Sequence, residues 1–176
     1  MWEWIIGILL VVVAVPLAIY IFGALQPGVF RGEASGVVKA PPETVFREIL
    51  DLKRFPLSGS MMKSREDLPE EDGKTRWKEN TGISEITGTV SETDAPRRVI
   101  FDLHDKRVNM TSHWVVDLEP AEGGGTKVKI EQTGLIRLGS FHAPMFRFIM
   151  RRGGGAVTGP RDLIKRLTAA HSGGEG

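Results

Sequence analysis

The chain has 176 residues, 23 basic against 22 acidic side chains, and no cysteine. So even a balance excludes the whole-molecule field that gathers nucleic acid or a polyanionic substrate, and the absence of cysteine excludes a disulfide framework, a thiol nucleophile and a cysteine metal site. With one membrane-length segment set aside, about 150 residues remain, enough for one domain with a real core and too few for two.

That segment comes first. From Trp4 to Leu25 nearly every side chain is Ile, Leu, Val, Ala or Phe, and no charge occurs between Glu3 and Arg31. About 22 residues at 1.5 Å each give roughly 33 Å of helix, which matches a bilayer's apolar thickness of roughly 30 Å. Pro16 is tolerated in such a helix, and Trp2, Trp4, Tyr20 and Phe22 suit headgroup depth. A cleaved secretory signal needs a basic start, a shorter apolar region and a small-x-small cleavage site, which Met-Trp-Glu-Trp and the long run do not supply. The expectation is an uncleaved single-pass membrane anchor. Arg31 and Lys39 follow it and only the terminal amine precedes it, which favours a cytoplasmic C-terminal part. The glycosylation triplet Asn109-Met110-Thr111 matters only on a lumenal face.

Gln26-Pro27-Gly28 ends the anchor in a short linker. Arg31 to Lys39 reads as a first strand. Pro41-Pro42-Glu43 then opens a short amphipathic helix carrying Val45, Phe46, Ile49 and Leu50, and Phe55-Pro56 limits the next segment to a turn around Asp51 to Arg54.

Between Met61 and Ile136 the pattern is that of strands, at Thr75 to Asn80, Ile83 to Glu92, Arg97 to His104, Val108 to Leu118 and Thr126 to Ile136. Glu71-Asp72-Gly73, Asp94-Ala95-Pro96 and Glu122-Gly123-Gly124-Gly125 punctuate them. Alternation puts Val108, Met110, Ser112, Trp114, Val116 and Leu118 on one face and Asn109, Thr111, His113 and Asp117 on the other. Val99, Phe101 and Leu103 point inward by the same count, and Asp102 and His104 point out.

Helical spacing returns after Gly139-Ser140, with Phe141, Met145, Phe146, Phe148, Ile149 and Met150 among Arg147, Arg151 and Arg152. It resumes from Pro160 to about Ala170 on Leu163, Ile164 and Leu167. Gly153-Gly154-Gly155 and Gly159-Pro160 predict a kink or break between the two pieces. The tail His171 to Gly176 reads as disordered.

Ala40-Pro41-Pro42-Glu43-Thr44-Val45-Phe46, Asp51-Leu52-Lys53-Arg54-Phe55-Pro56, Trp77-Lys78-Glu79, Pro96-Arg97-Arg98-Val99, and Trp114 followed by Leu118-Glu119-Pro120 and Gly125-Thr126-Lys127-Val128 occur in that order across residues 31 to 170. In this order and spacing the chain resembles the START-like superfamily (SRPBCC), which includes polyketide cyclase/dehydrase-type and lipid-transfer proteins. It departs from the family in having no Trp after Phe55-Pro56 and in the glycines of its last helix. The resemblance implies an α+β helix-grip fold, a curved antiparallel sheet around a C-terminal helix with an apolar cavity between them. The sequence agrees on its own terms, since a sheet with one apolar face needs a cover and the C-terminal helix is the long apolar segment left to supply it.

Motifs for catalysis are scarce. Gly73-Lys74-Thr75 lacks the upstream glycine of a phosphate-binding loop, and no G-x-S-x-G or H-E-x-x-H occurs. Asp102, His104 and Asp105 could be drawn as metal ligands, but alternation turns two of them to the solvated face, and no metal or cofactor is expected. Trp77 and Trp114 are either core packing or cavity lining. The Phe141 to Arg152 stretch either covers the core or touches a membrane. Glu79 shares strand parity with Trp77 and points inward, where an unpaired carboxylate is out of place. It is the one candidate catalytic acid, unless a nearby Lys or Arg pairs with it.

Three functions are open to such a chain. The first is a membrane-anchored domain binding a hydrophobic small molecule or lipid, its cavity lined by Trp77, Glu79, Phe101, Met110, Trp114 and Ile130 from the sheet and Met145 and Ile149 from the helix. The second is a cyclase or dehydratase acting in that cavity, and the third a protein-interaction module of the co-chaperone kind. The expected partners are the bilayer and the apolar ligand. The organisation expected is an anchor and linker over 1–28, the helix-grip domain over 29–170, and the tail.

Overall fold

A computed structural model describes residues 2–172. Helix α1 (Trp2–Leu25) is one uninterrupted helix through Pro16, and its side chains up to Ala18 are all exposed. Among the described residues it is the one helix long and apolar enough to cross a membrane.

Seven antiparallel strands follow, β1 (Val29–Val38), β2 (Ser64–Glu71), β3 (Lys74–Asn80), β4 (Glu85–Asp94), β5 (Arg98–Asp105), β6 (Met110–Pro120) and β7 (Thr126–Ile136). They lie in the order β1-β7-β6-β5-β4-β3-β2, so β2 to β7 form a meander and β1 returns to close the β7 side. Helix α2 (Pro42–Leu50) bridges β1 and the meander, and α3 (Ala143–Arg152) and α4 (Gly155–Ala170) complete the chain. This is the helix-grip architecture.

Strand β2 lies outside the segments that alternation identifies. Its sequence, Ser-Arg-Glu-Asp-Leu-Pro-Glu-Glu, carries four acidic residues, a proline and almost no buried side chain. Pairing holds it extended instead, with Arg65 opposite Glu79 and Asp67 opposite Trp77 on β3. Pro69 sits at the irregularity between Leu68 and Glu71, on an edge strand whose outer N–H groups need no partner.

The helical break falls at the glycines. Gly154 takes φ +68° between α3 and α4, a left-handed conformation that glycine adopts without the cost of a Cβ. Helix α4 begins at Gly155, five residues earlier than Pro160. It runs close along β1, where a Cβ on Gly32 would stand 2.2 Å from the Ala156 carbonyl oxygen and one on Gly36 would stand 2.6 Å from Ile164. His171 follows α4 and lies 2.8 Å from Glu48 on α2, so the chain is still held at that point. The expectation for residues 173–176 lies outside the described residues.

Two apolar clusters fill the grip. The larger joins α2 and Leu163, Ile164 and Leu167 of α4 to Trp77, Phe101, Trp114, Val116, Leu118 and Ile130 of the sheet. The smaller gathers Phe30, Val108, Met110, Ile136, Ala143 and Ala156, with Phe146 and Met150 of α3 packed on it. It lies at the end of the sheet where α1 arrives, since Ile136 N donates to Gly28 O just beyond α1.

Candidate functional site

Strand alternation turns Trp77, Glu79, Phe101, Met110, Trp114 and Ile130 to the inner face, where all six are buried. They are not one group. Trp77, Phe101, Trp114 and Ile130 belong to the larger cluster and Met110 to the smaller one. Trp77 meets Phe101 edge to face with ring centroids 5.9 Å apart, and Gly88 opposite leaves room for the indole. Met145 and Ile149, expected to line the cavity from the helix, are instead 39% and 40% exposed. The break at Gly153–Gly154 lets α3 swing out to pack against α1, so that it is α4 that crosses the larger cluster.

The Glu79 carboxylate is buried and fully engaged. Oε1 accepts from Leu57 N at 3.3 Å, Trp77 Nε1 at 3.0 Å and Arg65 Nη1 at 3.5 Å, while Oε2 accepts from Ser58 N at 2.9 Å and Ser58 Oγ at 2.5 Å. Arg65, nearly buried itself, also stands over the Trp77 ring at 5.3 Å. It is the cationic partner whose presence sequence reasoning leaves open. Arg65 sits on β2, the strand that alternation does not reveal. Five donors suit an acceptor-only group, and the arrangement ties the loop before β2 to β3.

Between the two clusters lies a buried polar trio. Oriented so that both its groups find partners, the Gln132 amide donates to Ala156 O at 2.8 Å and accepts from Ser112 Oγ at 3.0 Å and Trp114 Nε1 at 3.2 Å. Ser112 and Gln132 are inward by strand parity, on β6 and β7, and a Cβ on Gly159 of α4 would stand 2.9 Å from the Trp114 ring. Sequence alternation places Ser112 on this face. It does not single out Gln132, although Gln132 shares parity with Ile130. The trio forms a polar floor to the smaller cluster, with α3 as that cluster's roof. A hollow of about 370 Å³ lined by Val29, Phe30, Arg31, Met150 and Arg151 opens at the side, between β1 and the end of α3.

A wider hollow, of about 930 Å³, lies on the opposite, outer face of the sheet along Arg31, Arg76, Thr89, Asp102, His104 and His113. Its lining interleaves these charged and hydroxyl side chains with Val29, Leu103 and Leu135. Asp105 is turned inward and buried, accepting from Ser84 Oγ and from the backbone N–H of Arg107 and Val108 at the β5–β6 turn. It stands apart from Asp102 and His104 on the outer face, and no group of three or more His, Asp or Glu that could hold a metal occurs among the described residues.

The family model described as Activator of Hsp90 ATPase homolog 1-like protein (AHSA1) matches residues 39–152, from the end of β1 to the end of α3. The chain belongs to this family. Its AHSA1 match stops short of α1 and α4, the two longest helices. The fold is similar to a protein from Thermus thermophilus with a TM-score of 0.59 at 22% identity, over 81% of this chain and 99% of that one. It is similar also to a conserved protein from Geobacillus kaustophilus, TM-score 0.61 at 20% identity over 80% and 93% of the two chains. A START superfamily protein from Mycobacterium smegmatis aligns with a TM-score of 0.61 at 14% identity, over 81% and 97%. No curated protein sequence matches the chain.

Proposed function

We propose that this AHSA1-family chain is a membrane-tethered receptor for a hydrophobic small molecule or lipid, taken from the adjacent bilayer and held at the end of the grip nearest α1. The observation that carries the reading is the smaller cluster itself. Phe30, Val108, Met110 and Ile136 form an apolar cluster apart from the main core, beside Ser112, Gln132 and the Trp114 N–H, and the hollow between β1 and α3 reaches its Phe30 and Met150. Binding pockets combine apolar walls with a few polar groups that orient the ligand, and a ligand entering by the hollow between β1 and α3 would meet both as the cluster parts around it. Helix α3 packs over the cluster, and tethering would keep the hollow between β1 and α3 at a high effective concentration of membrane-dissolved ligand. Met110 and Trp114 are the residues of the expected lining that would touch the ligand. Trp77, Phe101 and Ile130 support it from behind.

A second reading, a protein-interaction module, draws support from the solid packing of the larger cluster. The cyclase or dehydratase alternative needs an acid free to hand over a proton, and the Glu79 oxygens already accept five hydrogen bonds.

Native mass spectrometry of the full chain in nanodiscs, before and after solvent extraction, should find a bound apolar molecule. An environment-sensitive apolar dye should bind the extracted protein, and Met150→Trp at the hollow between β1 and α3, where Met150 is only partly buried, should weaken that binding while the fold persists. No dye binding by folded wild-type protein would overturn the receptor reading and leave the interaction module.

A further inference from the structure

Helix α3 and the loop before it present a face that nothing in the fold covers. Leu138, Phe141, Met145 and Ile149 are exposed, Phe141 to 78%. Between Glu131 and Asp162 the chain carries five arginines and no acidic residue, and Arg137, Arg151 and Arg152 are exposed beside those apolar side chains.

This face is fixed in place against α1. A Cβ on Gly23 would stand 1.9 Å from the Pro144 carbonyl oxygen, so the two helices touch backbone to backbone there. Arg147 donates to Ile136 O from Nε at 2.9 Å and from Nη2 at 2.7 Å, and from Nη1 to Gln26 O at 3.0 Å and Ala24 O at 3.5 Å. One guanidinium thus caps the C-terminal end of α1, where the helix dipole favours a cation, and joins it to the end of β7. Tyr20 of α1 packs on Phe141 with ring centroids 5.7 Å apart. Tyr20 lies five residues before the end of α1, roughly 7.5 Å along the helix at 1.5 Å per residue, so Phe141 stands at that depth within the span. Interfacial helices bury their apolar face by about 5–10 Å at the headgroup boundary, which is the depth this packing sets.

We infer that the 137–142 loop and the start of α3 form a second attachment to the leaflet where α1 ends, with Leu138, Phe141 and Met145 at the acyl chains and Arg137, Arg151 and Arg152 on anionic headgroups. The inference rests on the reading of α1 as a membrane span, and it goes beyond a tether. The body is held in one orientation, with the opening between β1 and α3 at the bilayer surface.

The absence of cysteine gives a clean background for single spin labels in the full chain. Labels at the exposed Phe141→Cys and Met145→Cys are compared in nanodiscs with Val12→Cys in α1 and Glu122→Cys at a distant hairpin. Accessibility to oxygen should exceed accessibility to a water-soluble nickel complex at 141, 145 and 12, and the order should invert at 122. Labels on α3 that behave like 122 while 12 stays lipid-buried overturn this inference alone. If 12 also behaves like 122, the tether and the inference fall together. In discs of neutral phosphatidylcholine, or after Arg151→Gln with Arg152→Gln in anionic discs, the α3 labels should shift toward water. An unchanged depth in both would overturn the assignment of anionic headgroups as the partner.

Discussion

The Trp77 indole N–H donates to the Glu79 carboxylate at 3.0 Å, two positions along one face of β3. Each residue satisfies what the other would leave buried and unpaired. Glu79→Gln replaces one acceptor oxygen with an N–H₂ that faces the Ser58 or Leu57 donors, and leaves Arg65 without its anion. Breaking a buried charge pair costs about 3–5 kcal/mol, and Glu79→Leu, which also strands the Trp77 N–H, should cost at least as much. Urea unfolding monitored by tryptophan fluorescence measures both. A near-neutral Glu79→Gln would mean that the donors around the carboxylate contribute little to the fold.

The closeness of α4 to β1 depends on Gly32, where an added Cβ would meet the Ala156 carbonyl oxygen at 2.2 Å. Backbone cannot rotate aside as a side chain can, so Gly32→Ala should destabilise by about 1–3 kcal/mol, the usual cost of overpacking. Since Ala156 O is also the acceptor for Gln132, the same change should weaken apolar dye binding. Thermal unfolding and dye titration on one sample test the two effects together.

On the outer face, Asp102 lies 2.7 Å from His113 Nδ1 and accepts from Ser91 Oγ. Partial burial works to raise the Asp102 pKa, but the hydrogen bonds from His113 and Ser91 outweigh it and hold the carboxyl below its ordinary 3.8. A carboxyl lowered by folding contributes stability that is present above 3.8 and lost as the pH falls through the folded value. Asp102→Asn should therefore be slightly less stable than wild type at neutral pH, the difference vanishing below 3.8. The effect is small because solvent screens this half-exposed pair. Stability measured from pH 7 down to pH 2 would show equal acid limbs if the pair contributes nothing.

Much of the architecture can be read from the chain because burial imposes a period. On β6 the inward series Met110, Ser112, Trp114, Val116 and Leu118 follows strict alternation, and the buried positions match it one for one. Glu79 follows the same rule, so its inward direction is legible from its distance to Trp77. Its partner is not, because Arg65 belongs to a strand stabilised by pairing with β3 rather than by a buried face of its own. Met145 and Ile149 show the complementary limit. Helical spacing marks an apolar face but not which neighbour covers it, and the neighbour depends on the direction the chain takes after Gly153. Gln132 is hidden for a third reason: a polar residue at an inward position looks like an interruption until Ser112, Trp114 and the Ala156 carbonyl are seen around it.

The charged edge of the sheet bears on how copies of this protein meet. Under the proposed tether, the protein diffuses in two dimensions with every copy facing the same way, so matching strand edges would collide far more often than in free solution. Strand β2 would be the natural template for such pairing, since its outer backbone groups are open. Pro69 removes one of that edge's donors and its register breaks between Leu68 and Glu71, while Glu66, Asp67 and Glu71 hold ion pairs with Lys78, Lys53, Arg65 and Arg76. Two copies thus find no continuous ladder to share at that edge, and crowding in the plane of a membrane need not end in fibres.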